Sequence, residues 1–130
     1  MKAYWDSSAL IETTQKPDLL ARLKREGAFT RTHSLAETFA VLSGNPNVRF
    51  SAHFAAETVK GLAQYLDFVD VSADEVIAAL GMAQAKGVRG GRVHDYIHAL
   101  AAKKSGADTL LTLDKNDFTG LFPAVSVEPL

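Results

Sequence analysis

The sequence contains no cysteine, and this absence excludes several kinds of chemistry at once. The chain can form no disulfide, can hold no zinc through thiolates and has no cysteine nucleophile, which suits a reducing compartment. It also lacks an apolar run of the roughly 20 residues that a membrane span needs, and its N-terminus shows no hydrophobic signal region. We therefore expect a cytoplasmic protein that does not enter the membrane.

An excess of charge of either sign is also absent. Fourteen Lys and Arg against 15 Asp and Glu give a formal net charge of −1, so no overall electrostatic attraction to nucleic acid is expected. Any binding of RNA would have to depend on local clusters. The length of 130 residues and the hydrophobic content of 47% suit one domain with its own core, and we assign residues 1–130 to a single domain.

Segments typical of strands and helices alternate along the chain. Short β-prone segments occupy residues 2–5, 28–32, 67–71, 108–113 and 124–127. Helical patterns occupy residues 7–15, 17–26, 34–44, 51–66, 72–87 and 93–106, while residues 88–92 are predicted as a loop and 114–118 as a turn. This alternation predicts an α/β fold, in which a central, mostly parallel sheet carries helices on both faces.

Acidic residues fall at the ends of these segments. Asp6 closes the first strand, Glu37 lies in the first turn of the helix after the second strand, and Asp95 lies in the first turn of the helix at 93–106. Asp114 follows the strand at 108–113, and Asp117 comes three residues later. Because strand C-termini and helix N-termini meet at one edge of a parallel sheet, we expect these carboxylates to point at that edge.

Each acid also has an ordinary structural explanation. Asp6 is a favoured helix N-cap, Ser34 and Glu37 match the capping-box motif, Asp95 suits the positive end of a helix dipole, and the last two acids are common turn residues. As a group they are harder to explain, because like charges that lie close together repel. Such a cluster is typical of a divalent-cation site, and oxygen-only ligands select hard ions such as Mg²⁺ or Mn²⁺.

Three stretches, "WDSSALI", "SLAETFAVL" and "RVHDYIHALAAKKSGADTLLTLDKNDF", together resemble the PIN-domain ribonucleases. Among these, the chain is most similar to the VapC-type toxins of toxin–antitoxin pairs. The resemblance covers nearly the whole chain in the right order, and its C-terminal block is the most specific part. Two small departures are Ser7, where threonine is frequent, and the bulk of Trp5 beside the first acid.

The resemblance implies a PIN-like three-layer α/β/α sandwich and cleavage of RNA that depends on Mg²⁺ or Mn²⁺. The family's four acids fall on Asp6, Glu37, Asp95 and Asp114, and a less constant fifth acid falls on Asp117. We expect Asp6 and Asp95 to ligate the primary metal, with Glu37 and Asp114 binding it directly or through water. The family's small hydroxyl residues fall on Ser7 or Ser8 and on Thr112, and we expect Ser8 and Thr112 to support the ligands.

The partners of the chain follow from the same resemblance. It implies an RNA substrate, a small antitoxin protein that blocks the site, and either a homodimer or a toxin–antitoxin hetero-oligomer. From the sequence itself we predict that Arg89, Arg92, His94 and Lys115 contact RNA phosphates, because these cations adjoin the acids.

Other functions compete with this interpretation. In "HDYIH", His94 and His98 have the spacing of zinc-protease ligands, but Asp95 replaces the usual glutamate and the third ligand is not evident. We therefore expect His98 to be a surface or half-buried residue whose loss leaves a carboxylate nuclease almost unaffected. Two further alternatives are an inactive PIN-like binding module and a phosphatase with Asp6 as nucleophile. A phosphatase usually has a second aspartate two residues later, where this chain has Ser8.

Overall fold

Five short parallel strands form the central sheet in the order β3-β2-β1-β4-β5. The structure is a computed structural model, and it describes residues 2–47, 50–118, 121 and 126–129. The strands are β1 (Ala3–Trp5), β2 (Ala28–Thr30), β3 (Leu66–Phe68), β4 (Thr109–Thr112) and β5 (Ser126–Pro129). The predicted parallel sheet is confirmed, with β1 in its centre; the first two residues of the last predicted strand, 124–127, lie outside the described residues.

Seven α-helices connect and cover the strands in the described residues. They are α1 (Ser7–Glu12), α2 (Pro17–Glu26), α3 (His33–Gly44), α4 (Ala52–Ala63), α5 (Ala73–Gly81), α6 (Val93–Ser105) and α7 (Lys115–Phe118). Within the described residues, no helix combines the length and the apolar character needed to cross a bilayer.

Two hydrophobic clusters cover the two faces of the sheet. Tyr4 and Leu110 point into one cluster with residues of α5, α6 and α7, whereas Trp5 and Leu111 point into the other with residues of α1, α2 and α4. This division follows from the strand geometry, since successive side chains point to opposite faces. The predicted α/β fold with a three-layer α/β/α arrangement is therefore confirmed.

Helix α6 is the most deeply packed helix of the molecule. Its buried residues are Tyr96, Ile97, His98, Ala99, Ala101 and Ala102. Its alanines pack into the same cluster as Tyr4 and Leu110 of the sheet, and the Tyr96 hydroxyl donates to the carbonyl of Ala79 on α5 at 2.9 Å. Asp95 lies in the first turn of this helix, so the packing of α6 fixes where that carboxylate enters the site.

Several predicted boundaries are confirmed and others are wrong. Pro17 begins α2, and Gly27 and Gly106 end α2 and α6 at positive φ, a conformation that suits glycine. The predicted helix 51–66 ends at Ala63, and 72–87 ends at Gly81 before a separate 3₁₀ turn. The predicted turn at 114–118 contains the short helix α7, and the loop at 88–92 contains another 3₁₀ turn.

Candidate active site

Asp6 lies at the centre of the site, at the carboxyl end of β1. Its side chain is 5% exposed. One carboxylate oxygen, Oδ1, accepts from the backbone N–H of Ala9 at 3.0 Å and thereby caps α1, so the predicted capping role is confirmed. The same oxygen accepts from the Ser8 hydroxyl at 2.6 Å, and Oδ2 accepts from the Thr112 hydroxyl at 2.6 Å.

The hydroxyls of Ser8 and Thr112 fix the orientation of this carboxylate. Ser8 Oγ accepts from the backbone N–H of Leu113 at 2.9 Å, and Thr112 Oγ1 accepts from the backbone N–H of Asp114 at 3.0 Å. Each hydroxyl has one proton, and both protons point at Asp6. The two side chains therefore join the ends of β1 and β4 and leave Asp6 with one defined orientation.

Burial raises the pKa of Asp6 above its ordinary value. The hydrogen bonds from Ser8, Thr112 and the Ala9 N–H oppose this increase without cancelling it. The negative form of Asp6 is therefore less stable in this pocket than in water, and a bound cation would stabilise that negative form.

Asp95 carries the clearest sign that the acids converge. Burial and the negative charges of Asp117, Asp6 and Asp114 raise its pKa to about 6, against a smaller opposing effect of His98. Asp95 is only half-buried, so it remains accessible from solvent. The charges of three other acids that the sequence assigns to the site therefore act on Asp95.

Asp114 and Asp117 form the exposed side of the cluster. Asp114 follows β4, and its backbone carbonyl accepts from the N–H of Asp117 at 3.1 Å as α7 begins. Both side chains are exposed. The cluster thus extends from the buried Asp6 through the half-buried Asp95 to two acids in water.

Glu37 reaches the same region from α3, on the other side of the sheet edge. Its Oε1 accepts from Nε2 of His98 at 2.9 Å. Burial raises the pKa of Glu37, but the hydrogen bond from His98, with further contributions from His33 and Arg31, outweighs burial and holds this pKa below its usual range. Glu37 is therefore stabilised in its ionised form, unlike Asp6 and Asp95.

The predicted capping box of Ser34 and Glu37 is wrong. Ser34 is buried and its hydroxyl accepts from the hydroxyl of Thr30 at 2.7 Å, while Glu37 pairs with His98. The start of α3 is held by Asp70, whose carboxylate accepts from the N–H and hydroxyl of Thr32. Glu37 is thus free of a capping role and available to the site.

The prediction that His98 lies at the surface or half-buried is also wrong. His98 is 2% exposed, and its Nδ1 lies 2.8 Å from the hydroxyl of Tyr4 on β1. Because both ring nitrogens are committed to Tyr4 and Glu37, His98 has no lone pair left for zinc. This geometry speaks against the zinc-protease interpretation of His94 and His98.

Basic side chains adjoin the cluster. His94 is exposed and its ring stacks on that of His33, with centroids 6.4 Å apart. Arg92 donates to the carbonyl of Gly87 at 3.5 Å, and Arg89 and Lys115 are exposed. Sequence reasoning did not place Arg31 or His33 beside Glu37, although Arg31 follows β2, His33 begins α3, and both contribute to lowering the pKa of Glu37. Their position after a strand, which was used to select the acids, could have identified them.

The donor chemistry of the site fits a hard divalent cation. Carboxylate oxygens dominate it, and burial raises the pKa values of Asp6 and Asp95, with a further contribution from neighbouring acids for Asp95. In the part of the chain that the structure describes, no three Asp, Glu or His side chains stand in a ready-made metal-binding group. Mg²⁺ commonly binds through one or two carboxylates and keeps several waters, and the arrangement suits that mode of binding.

Comparison with known proteins adds no identification. No protein-family model matches the sequence, and no curated protein matches it. The functional assignment therefore depends on the motifs in the sequence and on the geometry of the site.

We expect Thr112→Val to weaken Mn²⁺ binding about tenfold, the lower end of the range for groups that orient metal ligands. The substitution removes the hydroxyl that donates to Asp6 and accepts from the N–H of Asp114. Thr109→Val makes the same change at the other end of β4 and serves as the matched control. Isothermal titration calorimetry measures both affinities, and equal affinities for the two variants would contradict the role of Thr112.

Proposed function

We propose that this protein is a Mg²⁺- or Mn²⁺-dependent endoribonuclease of the PIN-domain type. The observation that carries the proposal is that Thr112 links the Asp6 carboxylate to the backbone of Asp114, while burial and the charges of Asp117, Asp6 and Asp114 raise the pKa of Asp95. Glu37 on α3 accepts a hydrogen bond from His98, which lies on α6 one turn after Asp95. Carboxylates gathered at the carboxyl end of a parallel sheet favour a metal-dependent reaction over a purely structural role.

Asp6 and Asp95 would hold the ion, with Glu37 and Asp114 binding it directly or through water and Asp117 on the exposed side. When bound, the ion lowers the pKa of a coordinated water and neutralises charge that develops on a phosphodiester. Ser8 and Thr112 keep both oxygens of Asp6 oriented.

RNA would approach from the exposed side of the cluster. Arg89, Arg92 and His94 surround the start of α6, next to Asp95, and Lys115 follows Asp114. Cations beside the acids would hold the phosphates that flank the cleaved bond. Binding of this kind weakens as salt rises, in proportion to the number of phosphates contacted.

Incubation of the purified protein with total cellular RNA tests the proposal. Cleavage should require Mg²⁺ or Mn²⁺ and stop with EDTA, and sequencing of the cut ends would identify the target RNA. An Asp95→Asn protein is the control for contaminating nucleases. Binding of RNA without any cleavage would instead identify an inactive module, and equal cleavage by the parent and Asp95→Asn would refute the assignment.

The family resemblance extends the proposal to a biological role. We propose that the protein is the toxin of a toxin–antitoxin pair in the cytoplasm, where an antitoxin protein covers the site. The toxin would form either a homodimer or a hetero-oligomer with the antitoxin. Expression of the protein alone in bacteria should then arrest growth, and expression of Asp95→Asn should not.

A further inference from the structure

A chain of hydrogen bonds crosses the molecule from the centre of the sheet to the proposed metal site. The hydroxyl of Tyr4 on β1 lies 2.8 Å from Nδ1 of His98 on α6, and Nε2 of His98 lies 2.9 Å from Oε1 of Glu37 on α3. Tyr4 and His98 are almost wholly buried, at 0% and 2% exposure. This series of hydrogen bonds therefore joins helices on opposite faces of the sheet through one imidazole ring.

The donors and acceptors in this series of hydrogen bonds fit one tautomer of His98. An ionised Glu37 can only accept, so Nε2 must carry a proton and donate it. Tyr4 has a single hydroxyl proton, and burial, which raises the pKa of Tyr4 well above its ordinary value, keeps that proton in place. The hydroxyl then donates to an unprotonated Nδ1, so that every buried polar atom of the chain is paired.

The packing around His98 prevents the ring from turning. Its ring meets that of Tyr4 edge to face, with centroids 5.9 Å apart and an interplanar angle of 67°. A turned ring would place a carbon where Tyr4 or Glu37 needs a nitrogen, and it would leave two buried polar groups unpaired. The Nε2–H group is therefore held at one point in front of Glu37.

We propose that His98 is a positioning residue, whose Nε2–H, set by the Tyr4 hydroxyl, fixes the orientation of the Glu37 carboxylate for metal and substrate. The proposal builds on the function proposed above. Glu37 is half-buried with one oxygen engaged by His98, so its second oxygen is the one left for the ion or its waters. Loss of the Nε2–H donor allows the Glu37 carboxylate to adopt other orientations, as expected when the partner that orients a metal ligand is removed.

The tautomer can be measured without any activity. Nitrogen-15 NMR of the metal-free protein should show His98 with a protonated Nε2 and an unprotonated Nδ1. In Tyr4→Phe, which removes only the hydroxyl, the Nδ1 resonance should shift because its hydrogen bond is lost. A proton on Nδ1 in the parent protein would overturn the proposal, whether or not the protein cleaves RNA.

A double-mutant cycle tests whether His98 acts through Glu37. His98→Leu should weaken Mn²⁺ binding about tenfold and lower kcat for RNA with little change in KM, while His98→Gln, which keeps an amide donor, should recover much of both. In a Glu37→Gln background the same His98→Leu change should have almost no effect on Mn²⁺ affinity. A loss of equal size in both backgrounds would show that His98 is merely structural and overturn the proposal.

The two proposals fail in different ways. A parent protein that binds no Mn²⁺ and cleaves no RNA would refute the proposed function, while the NMR spectrum would still report the His98 tautomer. A parent protein that cleaves RNA with Mn²⁺, but whose Mn²⁺ affinity is unchanged by His98→Leu, would refute the positioning role alone. Thermal unfolding of each variant confirms that the comparison is made between folded proteins.

Discussion

An Asp6→Asn protein should lose at least about 1,000-fold of its metal-dependent RNA cleavage and should still fold. The amide removes the negative charge at the centre of the cluster, and metal-ion catalysis contributes several kcal/mol, of which about 4 kcal/mol corresponds to 1,000-fold in rate. Asn is as good an N-cap as Asp, so its oxygen can still accept from Ala9 and Ser8 and preserve α1.

Single-turnover cleavage of a labelled RNA, with Mg²⁺ and with Mn²⁺, measures this loss. Asp18→Asn is the matched control, because Asp18 is an exposed acid in the first turn of α2, outside the cluster. We expect the control to cleave at the parental rate. Should Asp6→Asn cleave within threefold of the parent while both are folded, Asp6 would have no catalytic role.

The second large effect concerns stability without metal. In EDTA at pH 7.5, Asp95→Asn should raise the free energy of unfolding by about 1 kcal/mol, because it removes a carboxylate that burial and three other acids destabilise. The full pKa shift would correspond to more, but water screens a group that is only half-buried, and we reduce the expected gain accordingly.

The pH dependence of this gain has a defined sign. The folded-state pKa of Asp95 is about 6, above its ordinary value of 3.8, so the folded protein retains the proton more strongly than the unfolded chain does. The parent therefore loses stability as pH rises from about 4 to above 6. The Asp95→Asn protein does not lose this stability, because the amide of Asn does not titrate. The advantage of Asp95→Asn should be complete above pH 6 and should shrink towards pH 4.

Urea unfolding at pH 4, 5, 6 and 7.5 measures the difference between the two proteins. Saturating Mg²⁺ should reverse their order, because a bound cation stabilises the folded parent by mass action and Asp95→Asn binds it less well. Equal stability at every pH, with and without Mg²⁺, would mean that Asp95 does not experience the neighbouring charges.

The S-x-x-E motif shows why local patterns predict some contacts and not others. Ser72 and Glu75 match it and form a true capping box at the start of α5. Ser34 and Glu37 match it equally well, yet Glu37 instead meets His98, which lies 61 residues further along the chain. A cap needs only its own helix turn, so the sequence predicts it wherever no distant partner competes.

The residues at 93–106 likewise include features that the sequence predicts and one that it does not. The helix, its apolar face and the glycine at its end depend on neighbours within a few residues, and all three were predictable. The burial of His98 was not, because two histidines four residues apart look alike in a sequence. Only the packing of α6 between β1 and α3 gives one of them Tyr4 and Glu37 as partners, and leaves the other stacked on His33.

By itself, the sequence determined the order of strands and helices and therefore the layered α/β fold, because hydrophobic period, caps and breakers act over a few residues. It also placed Asp6 and Asp114 just after strands and Asp95 in the first turn of a helix, but the prediction that Glu37 lies in the first turn of its helix is wrong, because α3 begins at His33. The tertiary structure alone decided which oxygens of Asp6 meet Ser8 and Thr112, and that His98 holds Glu37. Those contacts join residues that are as many as 106 positions apart, and their geometry exists only once the layers have packed.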